Sequence, residues 1–227
     1  MPRLHLTRFQ ILIHLAALAP LAVLAWDMGR GNLSVNPIQD ITFRTGKAAI
    51  VLLIASLACT PANTVFGFRQ AIKVRRPLGV YAFVYALIHF FIYIGLDYGF
   101  DFGLIWLELT EKRYVLVGFA TFLILLPLAI TSTKGWQKRL RKRWTTLHKW
   151  VYLAGGLAVF HYIWVQKSDI RQPVLWGVVL VLLLIARIPA VRVRAAGWRR
   201  RVSSRLQEIR SMRASRRDVA VEAEARS

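Results

Sequence analysis

Two histidines, His89 and His161, stand in the middle of separate apolar runs, 80–94 and 151–165, and neither run contains a charged residue. A polar ring placed in hydrocarbon is costly and marks a functional position. Neutral imidazole suits iron, and two imidazoles from separate helices are a common axial pair for b-type haem. His89 lies about 12 residues past Pro77 and His161 about 13 past His148; at 1.5 Å per residue both sit roughly 18–20 Å into their helices. Equal depth on two parallel helices is what a shared iron requires, and His89 and His161 are therefore the expected metal ligands. The competing reading gives each histidine a hydrogen bond to a neighbouring helix and nothing more.

Flanking residues extend the candidate pocket. Tyr81, Tyr85, His89 and Tyr93 recur at intervals of four, along one slowly drifting face. Tyr85 and Tyr93 are expected to line the cofactor, since a buried tyrosine offers a flat ring and a hydroxyl. On the other run Ala154, Gly155, Gly156 and Ala158 leave space beside the helix, as close helix packing or a porphyrin would need. His148 is a third cofactor-binding candidate, expected near the surface and about 140° around an ideal helix from His161. Without a helix distortion, which Gly155-Gly156 could supply, it serves a flavin or a second haem instead. A second haem lacks an obvious partner, because Arg75-Arg76 occupies the matching depth and only His14 lies on that side.

The elements that position these residues follow from hydropathy. Six apolar runs, about 9–26, 47–66, 79–96, 115–132, 148–165 and 173–190, each approach the length that crosses a bilayer as a helix. No two-residue alternation runs through them, which excludes a barrel. The expected fold is an all-α membrane protein, a six-transmembrane-helix bundle occupying residues 1–191, followed by a basic tail at 192–227. Pro20, Pro61 and Pro127 fall inside three of the runs, where membranes tolerate kinks. Trp26, Trp106, Trp136, Trp144, Trp164 and Trp176 fall near run ends, as an aromatic belt does. No internal repeat is evident.

Charge sets the orientation. The formal net charge is +21. Basic residues crowd 69–76, 134–149 and the tail, whereas the alternate loops balance acids against bases. The positive-inside rule then places both termini in the cytoplasm. Because the charge alternates with the spans, it speaks for a lipid membrane and against nucleic acid. The first run, preceded by Arg3 and Arg8, is read as a retained anchor rather than a cleaved signal. Cys59, alone, excludes an intramolecular disulfide. The tail has a weak apolar stripe, Val202, Leu206, Ile209 and Met212, suited to a lipid surface. It is too short for a dinucleotide-binding domain, and no Gly-x-Gly-x-x-Gly motif occurs.

Arg75-Arg76-Pro77-Leu78-Gly79 leading to Leu87-Ile88-His89, and Arg143-Trp144-Thr145-Thr146-Leu147-His148 through Tyr152 to His161-Tyr162-Ile163-Trp164, resemble the ferric-reductase-like transmembrane family. His14–Pro20, Thr45-Gly46-Lys47, Thr60-Pro61 and Leu128–Ser132 add to the likeness, which covers about residues 8–190. It implies heme b and FMN as cofactors. It also implies electrons drawn from a cytoplasmic flavin reductase or the quinone pool. The resemblance points to delivery, across the bacterial inner membrane, to a periplasmic molybdopterin methionine-sulfoxide reductase of the MsrP type, for repair of oxidised proteins. Some other electron carrier of the same family is the alternative. Larger members carry two histidines on each of the third and fifth spans; this chain has only His89 on the third. A bis-histidine iron has no open position, so the expected role is an electron-transfer subunit rather than a self-sufficient enzyme.

Overall fold

The computed structural model describes residues 7–166 and 169–194, with positions 197, 198, 201, 204, 205 and 207. The tail stripe predicted at Val202, Leu206, Ile209 and Met212 lies outside the described residues. Among these the chain is helical throughout: α1 Arg8–Arg30, α2 Pro37–Phe66, α3 Arg69–Phe91, α4 Phe102–Glu111, α5 Arg113–Ile130, α6 Lys134–Leu140, α7 Lys142–His148, α8 Trp150–Val165 and α9 Arg171–Ile185. A π-helical turn, Ile92–Asp97, extends α3. Local sequence fixes the ends. Thr7 and Gln10 form a capping box at α1, and Asn36 caps α2 ahead of Pro37. Gly31 and Gly67 adopt φ of 69° and 73° to terminate α1 and α2, a left-handed conformation that costs glycine nothing.

Two antiparallel pairs build the bundle: α2 packs on α3, and α5 on α8, while α1 covers α2 and α3, and α9 covers α8 and α2. Small residues permit the close approach. Ala17, Ala82 and Ala154 are all but inaccessible, with Ala48 and Ala71 close behind. The outer faces are apolar instead of polar: Leu116, Leu123 and Ile130 form an exposed stripe on α5, and Val174, Val178 and Val181 another on α9. Such continuous apolar surface suits lipid rather than water. Four helical stretches, Arg8–Arg30, Pro37–Phe66, Arg69–Asp97 and Arg113–Ile130, are long and apolar enough to cross a bilayer. The fifth and sixth runs form shorter helices of 16 and 15 residues. Lys149 keeps helical dihedrals, φ −69° and ψ −24°, and only a tighter turn there, Lys149 N–H to the Thr146 carbonyl at 3.2 Å, separates α7 from α8.

Two of the prolines inside helices are answered by side chains from distant elements. Pro61 has no N–H, so the carbonyl four residues earlier, that of Leu57, loses its helical donor. Arg187 supplies one, its Nη2 donating to the Leu57 oxygen at 2.6 Å. At Pro20 the break is filled by Tyr85. Its hydroxyl donates to the Ala17 carbonyl at 2.8 Å and accepts from the Leu21 N–H at 3.2 Å, the two groups that would pair in an unbroken helix. Backbone groups that lipid cannot satisfy are thus paired inside the protein.

The charged groups are sorted by end. Every described acid lies at the end where α1 finishes and α2 begins. The three ion pairs among the described residues are there too: Arg44 with Asp27 and Asp40, and Lys112 with Glu108. The opposite end, formed by the α2–α3 turn, α6, α7 and the close of α9, contains basic residues and no described acid.

Candidate functional site

His89 and His161 face one another between α3 and α8, towards the acid-bearing end of the bundle where α2 and α5 begin, their ring centroids 6.4 Å apart and their planes at 80°. The matching depth expected of them is what brings them together. His89 Nδ1 lies 2.9 Å from the carbonyl oxygen of Thr42 on α2, and His161 Nδ1 lies 2.8 Å from that of Tyr114 on α5. A carbonyl only accepts, so each Nδ1 carries the proton and each Nε2 keeps its lone pair. Orientation by a second hydrogen bond of this kind is how metal-binding histidines are held.

Each ring is seated on a glycine. A Cβ on Gly46 would meet the His89 ring at 3.0 Å, and one on Gly118 the His161 ring at 2.8 Å. Gly46 stands four residues after Thr42, and Gly118 four after Tyr114, so carbonyl and glycine form adjacent turns of one helical face. The spacing is the same in both halves: each histidine follows its carbonyl residue by 47 positions. The α2–α3 and α5–α8 pairs therefore present two copies of one device, which the sequence did not display as a repeat. Its only trace is Gly46 and Gly118 at matching distances before the two histidines.

The residues fit a haem. A nitrogen–metal bond of about 2.0–2.1 Å, with about 1.1 Å from ring centre to atom on each side, would place two imidazole centroids about 6.3 Å apart. The observed 6.4 Å matches this. No cluster of three or more His, Cys, Asp or Glu side chains suited to a bare metal ion occurs among the described residues. Two nitrogens do not make a closed site for a lone ion, but they complete one whose other ligands come from a macrocycle.

The tyrosines have other work. Tyr85 is buried, with its hydroxyl engaged on α1 as described, and His14 Nδ1 pairs with the Tyr81 hydroxyl at 3.0 Å. These two side chains join α3 to α1, so the hydroxyl of Tyr85 is not free for a cofactor. Tyr93, on the π turn, packs its ring 4.8 Å from Tyr98. Burial, with Tyr93 and Glu108 alongside, pushes the Tyr98 hydroxyl above the ordinary tyrosine range, and Glu108 raises Lys112. A second feature escaped the sequence reading: Phe83 and Phe90 of α3 stack on Phe122 of α5 at centroid distances of 5.8 and 4.6 Å.

His148 is not brought to the histidine pair. It stacks on Trp144 at 3.9 Å, and its Nδ1 lies 3.1 Å from the Trp144 carbonyl. Its Nε2 is buried towards the Leu128 carbonyl without a well-formed hydrogen bond.

Residues 45–159 match the family model for the ferric reductase like transmembrane component. The protein-methionine-sulfoxide reductase heme-binding subunit MsrQ of Xanthomonas axonopodis pv. citri is 44% identical over 183 residues, 78% of this chain and 84% of that protein. The protein of the same name from Rhodospirillum rubrum is 42% identical over 190 residues, 83% and 91% of the two chains. The chain belongs to the MsrQ family of ferric-reductase-like membrane proteins. No solved structure matches it. As an MsrQ-family chain it is a multi-pass membrane protein. The matched segment opens at Thr45, beside Gly46, and closes at Val159, taking in both glycine seats and His89.

Proposed function

We propose that this protein is a haem b electron-transfer subunit of the bacterial inner membrane, with His89 and His161 as the two axial ligands. The observation that carries the reading is the facing imidazole pair, each fixed by a carbonyl and a glycine so that Nε2 is the free nitrogen. The bound haem would supply a one-electron acceptor and donor at fixed depth. The chain's own residues hold the rings in one tautomer, and the apolar bundle excludes water. With His89 and His161 both as ligands, a bound haem would supply electron transfer and leave no position for oxygen.

In this reading residues 1–191 form six spans, α8 and α9 completing the set, with residues 192–227 as a cytoplasmic tail. The acid-free end faces the cytoplasm, following the positive-inside rule. The proposed electron donor at that end is a flavin reductase or the quinone pool, and the proposed acceptor on the periplasmic side is an MsrP-type molybdopterin reductase; FMN, where bound, would supply a carrier on the entry side. The relatives' name, heme-binding subunit of a protein-methionine-sulfoxide reductase, supports that partner. His148 is assigned to the entry side, serving a flavin or a second haem. Tyr85 braces α3 behind His89, and Tyr93 caps the site on the periplasmic side. The test is the absorption spectrum of the purified protein, oxidised and dithionite-reduced. A low-spin b-type spectrum is expected, lost or converted in both His89→Ala and His161→Ala. A colourless protein, or an unchanged spectrum in both variants, refutes the assignment.

A further inference from the structure

The two halves of the histidine site repeat one device and part company at the residue after the glycine. One half supplies the Thr42 carbonyl, Gly46 and His89; the other supplies the Tyr114 carbonyl, Gly118 and His161. Phe119 follows the glycine in the second copy, and Lys47 follows it in the first. Phe119 closes its side with hydrocarbon. Its ring stacks on Phe90 at 5.9 Å, Phe90 on Phe122 at 4.6 Å and Phe122 on Phe83 at 5.8 Å, a continuous wall of rings between α3 and α5. The hydroxyl of Thr121, within the same stretch of α5, is spent on the Val117 carbonyl at 2.8 Å.

Lys47 has the opposite character. It stands ten residues past Pro37, which opens α2, and so about 15 Å along that helix, at the head of the apolar stretch Ala48–Ile54. It is exposed and makes no hydrogen bond or ion pair with any described residue. Arg44, the cation one turn before it, is by contrast held by Asp27 and Asp40. An unpaired ammonium within a membrane-crossing helix is costly and marks a ligand position. The residue before it is in contact with the site, since a Cβ on Gly46 would lie 3.0 Å from the His89 ring. Side chains lean towards a helix's N-terminus, which carries the lysine back to the level of Thr42 and Gly46. We propose that Lys47 is a carboxylate-binding residue of the histidine site, pairing with a propionate of the bound haem on the α2 side, while the phenylalanine wall takes the hydrocarbon edge of the porphyrin. An ammonium suits a single carboxylate as a point charge. The repeated carbonyl, glycine and imidazole would accept the macrocycle either way round; the difference between Lys47 and Phe119 selects one. The inference rests on the haem reading above and adds which way the cofactor sits.

The experiment uses the full haem-loaded chain in phosphatidylcholine nanodiscs. Two quantities are read: the rate at which excess apomyoglobin strips the haem, and the propionate bending band in the low-frequency resonance Raman spectrum. Lys47→Met keeps the length of the side chain and removes its charge. It should speed haem loss about tenfold to a hundredfold, the range for one hydrogen bond to a charged group, and shift the propionate band, with the low-spin absorption spectrum unchanged. Lys47→Arg should keep the wild-type band and rate. Arg30→Gln, which removes a cation stacked on Trp26 at the same end of the bundle, should change neither and so controls for overall charge. Lys47→Gln replaces Lys47→Met if the latter does not fold. A wild-type protein without low-spin haem would defeat the haem reading itself. A haem-loaded Lys47→Met protein with the wild-type band and rate overturns this inference alone, and is the result expected of a lysine that reaches only the lipid headgroups. Haem loss from Lys47→Arg as fast as from Lys47→Met overturns it equally.

Discussion

Replacing Gly118 by alanine tests whether the histidine seat tunes the proposed haem. The new Cβ would lie 2.8 Å from His161 Cε1 and 2.9 Å from Nδ1, against 3.4–4 Å for an ordinary contact. The ring must therefore retreat by about 0.6 Å or more, three times the roughly 0.2 Å tolerance of a metal–ligand bond. It cannot swing aside freely, because Nδ1 is held on the Tyr114 carbonyl. Overpacking of this kind costs about 1–3 kcal/mol, and weakening the hydrogen bond adds about 0.5–1.5 kcal/mol. The alanine returns up to about 1 kcal/mol in helix propensity. The fold should survive while the iron bond does not keep its geometry. Gly46→Ala, at 3.0 Å from the His89 ring, should follow the same course more mildly, and Gly156→Ala, with nothing within 4 Å, should be silent. The assay is haem content per protein, the oxidised and reduced spectra and the midpoint potential, with circular dichroism as the folding control. Low-spin haem should fall in the order wild type and Gly156→Ala, then Gly46→Ala, then Gly118→Ala. A Gly118→Ala protein with the spectrum and potential of Gly156→Ala would refute the reasoning.

Three further outcomes are expected. His148→Ala should leave the His89–His161 haem spectrum intact while slowing its reduction from the cytoplasmic side, measured by stopped-flow with a flavin reductase; loss of that haem in a folded protein would make the two sites one. Tyr85→Phe removes the hydroxyl that bridges Ala17 and Leu21, leaving a buried carbonyl without its donor, and should destabilise the bundle by about 1–3 kcal/mol in a thermal or denaturant melt. Reporter fusions at Ser227 and within 97–111 should report opposite sides of the membrane, and the same side for both would overturn the orientation.

The histidine pair was legible because hydrocarbon makes a polar residue conspicuous and helix rise converts residue number into depth. The glycine seats were not, since a glycine in a membrane helix reads equally as close packing until its neighbour is known. The contacts of the tyrosine hydroxyls were not legible either, for a related reason. Interval four put Tyr85 and His89 on nearby faces, but the slow drift of that face turns the Tyr85 hydroxyl onto α1 while the His89 ring reaches α2. The last tyrosine of the series, Tyr93, falls on the π turn, where the α-helical interval no longer applies. Arg187 falls within the sixth apolar run, and in the sequence only the position of Pro61 points to a carbonyl needing a donor from elsewhere.

That last contact bears on how the chain is made. Leu57 waits for a residue 130 positions downstream. At a synthesis rate of about 5–20 residues per second, that interval is roughly 6–26 s. During it, α2 has reached the insertion machinery with one carbonyl that neither its own helix nor lipid can satisfy. Water or the translocation channel must serve as a temporary partner, and the helix is finished only when Arg187 docks. Completion of the Pro61 turn is thereby deferred until a segment 130 residues further on has been synthesised. A chain interrupted before residue 187 would leave the Leu57 carbonyl in its second helix without this donor.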